Sequence, residues 1–124
     1  MAKLVAIDDE AEFVKTINQF FTDRGFEVHV ALTGTSGVEL VEAHQPDLVL
    51  LDVMMPVKSG YEVCQRMRER ADWRHIKIIM LTAKGRDVEM SKGLSIGADL
   101  YITKPFSTQE LVAKINGLLE VGTT

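Results

Sequence analysis

Apolar residues in this chain gather into short runs, and the stretches between them carry a helical period. The runs are LVAI at 4–7, FEVHVA at 26–31, LVLL at 48–51, IKIIML at 76–81 and LYI at 100–102. All are of strand length. Runs such as LVLL do not alternate with polar residues, which is the pattern of parallel strands covered on both faces. Between the first two runs, Phe13, Val14, Ile17, Phe20 and Phe21 repeat at i, i+1, i+4, i+7 and i+8. That spacing predicts one face of a helix, ended by Gly25. Leu111, Val112, Ile115, Leu118 and Leu119 repeat it near the C-terminus, and weaker helical periods cover 36–44, 60–70 and 87–97, the last interrupted by Gly93.

Helix starts are marked by paired residues. Ser36 with Glu39, Ser59 with Glu62 and Ser107 with Glu110 have capping-box spacing, and Asp9 with Glu12 is an acidic variant of it. The order is therefore βα repeated five times. This predicts an α/β fold: a doubly wound, five-stranded parallel sheet with right-handed crossovers and helices on both faces. Residues 1–124 are expected to form a single domain, since 124 residues bury one core of ordinary size.

Composition narrows the function. Apolar residues make up 46% and charged residues 26%, as in an ordinary globular chain, and the net charge of −4 does not favour a nucleic-acid or anionic-membrane surface. The single cysteine, Cys64, excludes an internal disulfide and any four-cysteine metal site, and fits a reducing cytoplasm. MAKLVAIDDE is too short in apolar residues for a signal-peptide core or a membrane span. A cytoplasmic location is expected.

In an open parallel sheet, function gathers at the carboxyl ends of the strands. There the chain places Asp8-Asp9-Glu10, Leu32-Thr33-Gly34, Asp52, Thr82-Ala83 and Thr103-Lys104-Pro105. In the common five-stranded winding, strands one, three and four are neighbours, so their ends converge. Each residue also has a plainer role: Asp9 as a helix cap, Asp52 as a solvated strand-end acid, Thr82 as a β-branched strand residue, Lys104 as a surface charge. The conjunction favours one chemistry, phosphoryl transfer to a carboxylate. Clustered acids repel and call for a hard cation, for which Mg²⁺ is suited. A carboxylate can then act as the nucleophile toward phosphorus. The ammonium of Lys104, the hydroxyl of Thr82 and backbone N–H groups near Ala83 can neutralise or hydrogen-bond phosphoryl oxygens.

Over essentially its whole length the chain resembles the receiver domains of two-component response regulators, of the chemotaxis-regulator type. The resemblance rests on IDDE at 7–10, LLDVMMPVKSG at 50–60, MLTA at 80–83 and GADLYITKPF at 97–106, in that order. It implies the flavodoxin-like strand order 2-1-3-4-5. It also implies that Asp52 is the phospho-acceptor, and that Asp8, Asp9, Asp52 and the backbone carbonyl of Met54 hold Mg²⁺. Lys104 would grip the phosphoryl group, with Ala83 as a backbone contact. Thr82 and Tyr101 would act as the switch pair, and the Lys104–Pro105 bond would be cis. The implied partners are a histidine kinase or phosphotransfer protein and a downstream effector protein or domain. The readout face would be formed by the fourth predicted helix, fifth strand and fifth helix, bordered by Met90, Lys92 and Thr103. A phosphorylation-dependent dimer stays open; direct nucleic-acid or membrane binding is not expected. Two positions depart from the family pattern, Lys77 for a frequent proline and Ser59 for a frequent aspartate. Met54 and Lys84 fall at the variable positions that tune phosphoryl loss.

The chain is thus expected to be no classical enzyme, but to catalyse its own phosphorylation and dephosphorylation. Two alternatives fit less well. A haloacid-dehalogenase-type phosphatase wants an acid two residues after the nucleophile, where this chain has Met54. A flavodoxin-like FMN module wants a hydroxyl- and glycine-rich loop after strand one, where Asp8-Asp9-Glu10 would repel phosphate. The glycines of TGTSG lack a P-loop pattern and read as a helix entry.

Overall fold

The computed structural model describes residues 2–55, 59–83 and 97–121, with only the backbone of 83, 120 and 121. The predicted helix at 87–97 and the residues Lys84, Met90 and Lys92 lie outside this set, apart from the helix's last position. Five strands form one sheet: β1 (Lys3–Ile7), β2 (Glu27–Ala31), β3 (Leu48–Asp52), β4 (Lys77–Ala83) and β5 (Leu100–Lys104). All pairings are parallel, and the strand order is β2-β1-β3-β4-β5. Helices α1 (Ala11–Asp23), α2 (Gly34–His44) and α3 (Gly60–Arg68) follow the first three strands. A single 3₁₀ turn (Ala71–Trp73) precedes β4, and a C-terminal helix spans Thr108–Val121. Among the described residues, no helix is long and apolar enough to cross a membrane.

The non-alternating strands divide their side chains between two cores. Val49 and Leu51 pack with Val5, Ile7, Ile78 and Met80 on the face that also buries Val63, Met67 and Trp73. Leu48 and Leu50 pack with Leu4, Ala6, Ile79 and Leu81 against Val14, Ile17 and Phe21 of α1 and Leu111 and Ile115 of the C-terminal helix. Every residue of β3 is buried. Period-2 geometry turns one greasy run into two half-cores, so the central strand cannot slip by one residue without exchanging them.

The caps follow the sequence with two corrections. Ser59 and Glu62 form the reciprocal capping box at α3, and Ser107 accepts from the Glu110 N–H at 3.0 Å. At α2 the cap is Thr33, not Ser36: its Oγ1 accepts the Ser36 N–H, because the helix begins at Gly34, two residues before the periodic segment. At α1 the N-cap is Glu10 with no side-chain cap bond, so Asp9 is not spent on capping. Gly25 takes φ +90° after α1, a conformation that favours glycine.

One polar clamp ties the loop before β5 to the start of β4. Arg68 donates to the Gly97 carbonyl at 2.8 Å and to Asp99 Oδ2 at 2.8 Å, and the same carboxylate oxygen accepts the Ile78 N–H at 2.8 Å. Charge-assisted bonds of this kind outweigh neutral ones, and removal of the acceptor leaves two part-buried donors unpaired. Asp99→Ala is therefore expected to lower unfolding stability by about 2–3 kcal/mol in urea melts, far more than substitution of the exposed Asp72–Arg70 pair.

Candidate functional site

The carboxyl ends of β1, β3, β4 and β5 meet at one pocket of about 560 Å³. Register explains why. Ile7 pairs with Leu51, so Asp8 and Asp52 leave adjacent strands at the same level. Asp52 in turn pairs with Leu81, and Thr82 and Ala83 pair with Thr103 and Lys104. Asp8, Asp9 and Asp52 each place a carboxylate oxygen within 4.8 Å of those of the other two. Asp8 is 1% exposed, Asp52 7% and Thr82 2%, whereas Asp9 is open to solvent. Three carboxylates with hard oxygen donors fit a Mg²⁺-type cation, which commonly takes one or two carboxylates and keeps several waters.

Lys104 offsets part of this charge. Its Nζ donates to Asp8 Oδ2 at 2.7 Å and to Glu10 Oε1 at 3.0 Å, and stands 4.3 Å from the centre of the Phe13 ring. Burial acts to lower the Lys104 pKa, but its hydrogen bonds to Asp8 and Glu10 and the charges of Asp8 and Asp52 outweigh it and raise it. Asp52 is pushed up to about 7. Burial is the main cause and Asp8 the next, opposed by the Lys104 charge and the Met54 N–H, which donates to Asp52 Oδ1 at 3.3 Å; Asp9 adds a smaller upward push. The acid at the end of β3 is thus held near its protonation midpoint at neutral pH.

The remaining expected residues are placed as follows. Met54 lies at the pocket with 52% of its surface exposed. Ala83 is the last residue of β4, beside the end of β5. The Lys104–Pro105 bond is cis. Tyr101 does not line the pocket: it is buried in the core cluster with Met80 and Ala98, and its hydroxyl lies 2.9 Å from that of Tyr61. Four residues were given no role at the site from sequence. Glu10 is the second partner of Lys104, and Phe13 and Phe106 wall the pocket with rings 5.9 Å apart, edge to face. Gly60 is the fourth: a Cβ there would collide with the backbone carbonyl of Asp52, so α3 starts hard against the strand end. The IDDE motif contained the Glu10 signal, while Gly60 was visible only as a helix start.

The raised Asp52 pKa sets a stability test. Between its ordinary value of 3.8 and about 7, the folded chain keeps a proton that the unfolded chain has released. The contribution of Asp52 to stability is therefore fully present below pH 3.8 and lost as pH rises through 7. Asp52→Asn removes this dependence. Without divalent metal the variant is expected to be more stable than wild type by about 2–4 kcal/mol at pH 8, with the gap closing toward pH 4. A less stable variant at pH 8, in denaturant melts with chelator, would contradict the crowding of these acids.

Comparison with known proteins bears on the whole chain. Residues 4–116 match the model of the response regulator receiver domain. A Chloroflexus aurantiacus protein assigned to the response regulators is 30% identical with a TM-score of 0.90, covering 96% of this chain and 98% of that one. Chemotaxis protein CheY4 of Vibrio cholerae is 27% identical, with a TM-score of 0.90 over 95% and 98% of the two chains. The signal receiver domain of a signal transduction histidine kinase from Syntrophus aciditrophicus is 26% identical, with a TM-score of 0.88 over 97% and 91%. A family match that runs from the first strand into the last helix, on a sheet wound in the same order, makes this chain a member of the receiver domains of two-component response regulators.

Proposed function

We propose that residues 1–124 form a single receiver domain that works as a phosphorylation-controlled switch, with Asp52 as the phospho-acceptor. The observation that carries this reading is the convergence of Asp8, Asp9 and Asp52 within reach of one cation, at a pocket that also holds Lys104 and Thr82. The donor is a histidine kinase or phosphotransfer protein. A carboxylate oxygen of Asp52 attacks phosphorus, a P–O bond forms, and the P–N bond to the donor imidazole breaks with its electron pair leaving on the imidazole. Asp8, Asp9, Asp52 and the Met54 carbonyl would hold Mg²⁺, whose contribution when bound is to offset the acids and neutralise phosphoryl oxygens.

The protein's own groups do the rest. Lys104 sits between Asp8 and Glu10 before transfer, so its ammonium is already held at the pocket where new negative charge appears. Thr82, on the strand next to Asp52, supplies a hydroxyl to the phosphoryl group, and the backbone N–H of Ala83 a further donor. Movement of Thr82 and of Tyr101 biases a pre-existing equilibrium between two conformations. Among the described residues, the readout face comprises β5 with Thr103 and the C-terminal helix, presented to an effector protein or domain. In this reading the chain is not a classical enzyme, yet it catalyses its own phosphorylation and dephosphorylation. The work is placed in the cytoplasm.

Intact mass after incubation with acetyl phosphate and Mg²⁺ tests the acceptor. Wild type is expected to gain one phosphoryl group and Asp52→Asn none, and chelation of the metal should abolish the wild-type adduct. An adduct retained by Asp52→Asn would overturn the assignment. Met54, half-exposed at the pocket mouth, screens the acyl phosphate from water. Met54→Asn is therefore expected to shorten the phosphorylated lifetime several-fold, read as the decay of the adduct mass with time.

A further inference from the structure

A second cluster of ligating groups lies away from the acid pocket. Glu27 and His29 are two residues apart on the edge strand β2 and so share a face, and His44 stands in the last turn of α2. The His29 and His44 rings stack with centroids 3.6 Å apart and an interplanar angle of 12°, and His29 Nε2 lies 2.9 Å from Glu27 Oε2. One ligating atom from each of the three residues falls within 4.8 Å of the other two. All three residues are partly buried, so their backbone positions are fixed by a strand and a helix while their polar ends reach solvent.

We propose that Glu27, His29 and His44 form a binding site for a divalent transition ion of the zinc class. Two imidazoles, which are borderline donors, beside one carboxylate suit Zn²⁺, Ni²⁺ or Cu²⁺, whereas the oxygen-only cluster of Asp8, Asp9 and Asp52 suits a hard cation. Zn–N bonds of about 2.0–2.1 Å in a tetrahedral site put donors roughly 3.3 Å apart. The 2.9 Å contact between His29 and Glu27 would open slightly, and the stacked rings would rotate so that both lone pairs converge. Three protein donors leave a fourth position for water or an incoming ligand. The neighbouring cation is Lys3, whose ammonium donates to the His44 carbonyl at 3.2 Å and so serves the helix end. A bound ion would pin the edge strand β2 to the C-terminal end of α2.

The test is a Zn²⁺ titration of the full chain with Mg²⁺ saturating, followed by calorimetry and by histidine side-chain NMR. One equivalent of Zn²⁺ is expected to bind and to shift the His29 and His44 imidazole resonances while leaving His75 in place. His29→Gln and His44→Gln should each weaken binding by at least the ~10–100-fold that loss of an outer-shell partner costs. His75→Gln should bind as wild type. Absence of binding overturns the proposal. So does binding that perturbs His75 or other sites instead, or that survives both histidine substitutions. The wild-type resonances decide the matter even where a variant fails to fold.

Discussion

Like charge that cannot move apart governs one end of this sheet. Asp8 and Asp52 each follow a run of four buried apolar residues, on strands hydrogen-bonded to one another in fixed register. Relaxing their repulsion would require a strand to shift, which would exchange its two faces between two separate cores. The molecule instead answers with charge. Lys104, brought in from 94 residues beyond Glu10, donates to both Asp8 and Glu10. Burial first, and then an Asp8 charge that Lys104 offsets only in part, leave Asp52 with a raised pKa and a demand for positive charge.

That frustration is positioned by apolar packing and strand register. The strands carry the cores, the helices cover them, and the charged residues of the site occupy the layer where the strands surface. A receiver fold is in this sense a device for delivering four side chains from four strands to one point. Small rearrangements there matter because packed cores hold discrete arrangements more readily than intermediate ones.

Much of this was legible in the residue order. Non-alternating runs such as LVLL fixed the strands as buried on both faces, and the capping pairs at Ser59 and Ser107 marked true helix starts. The site acids and Lys104 were legible because strand ends are where a parallel sheet can display them. Other features were not. Ser36 and Thr33 both carry hydroxyls, and only the backbone conformation at Thr33 decides which one caps. Phe13 and Phe106 owe their place at the pocket to how α1 and the loop after β5 close over it, a long-range outcome that no local spacing encodes. The inward, hydroxyl-paired placement of Tyr101 likewise depends on a residue 40 positions away.

The start of α3 joins two strands that β4 separates, β3 and β5. Gly60 abuts the carbonyl of Asp52, and Tyr61, the next residue, meets the hydroxyl of Tyr101 on β5. One peptide link therefore separates the group that feels the acceptor backbone from the group that touches the aromatic on the far strand. A displacement of the β3 end is passed to α3 through the Gly60 N–H, which donates to the Val53 carbonyl at 3.0 Å. Unless α3 deforms in its first turn, where the Ser59 cap and Glu62 hold it, the two ends must move as one piece.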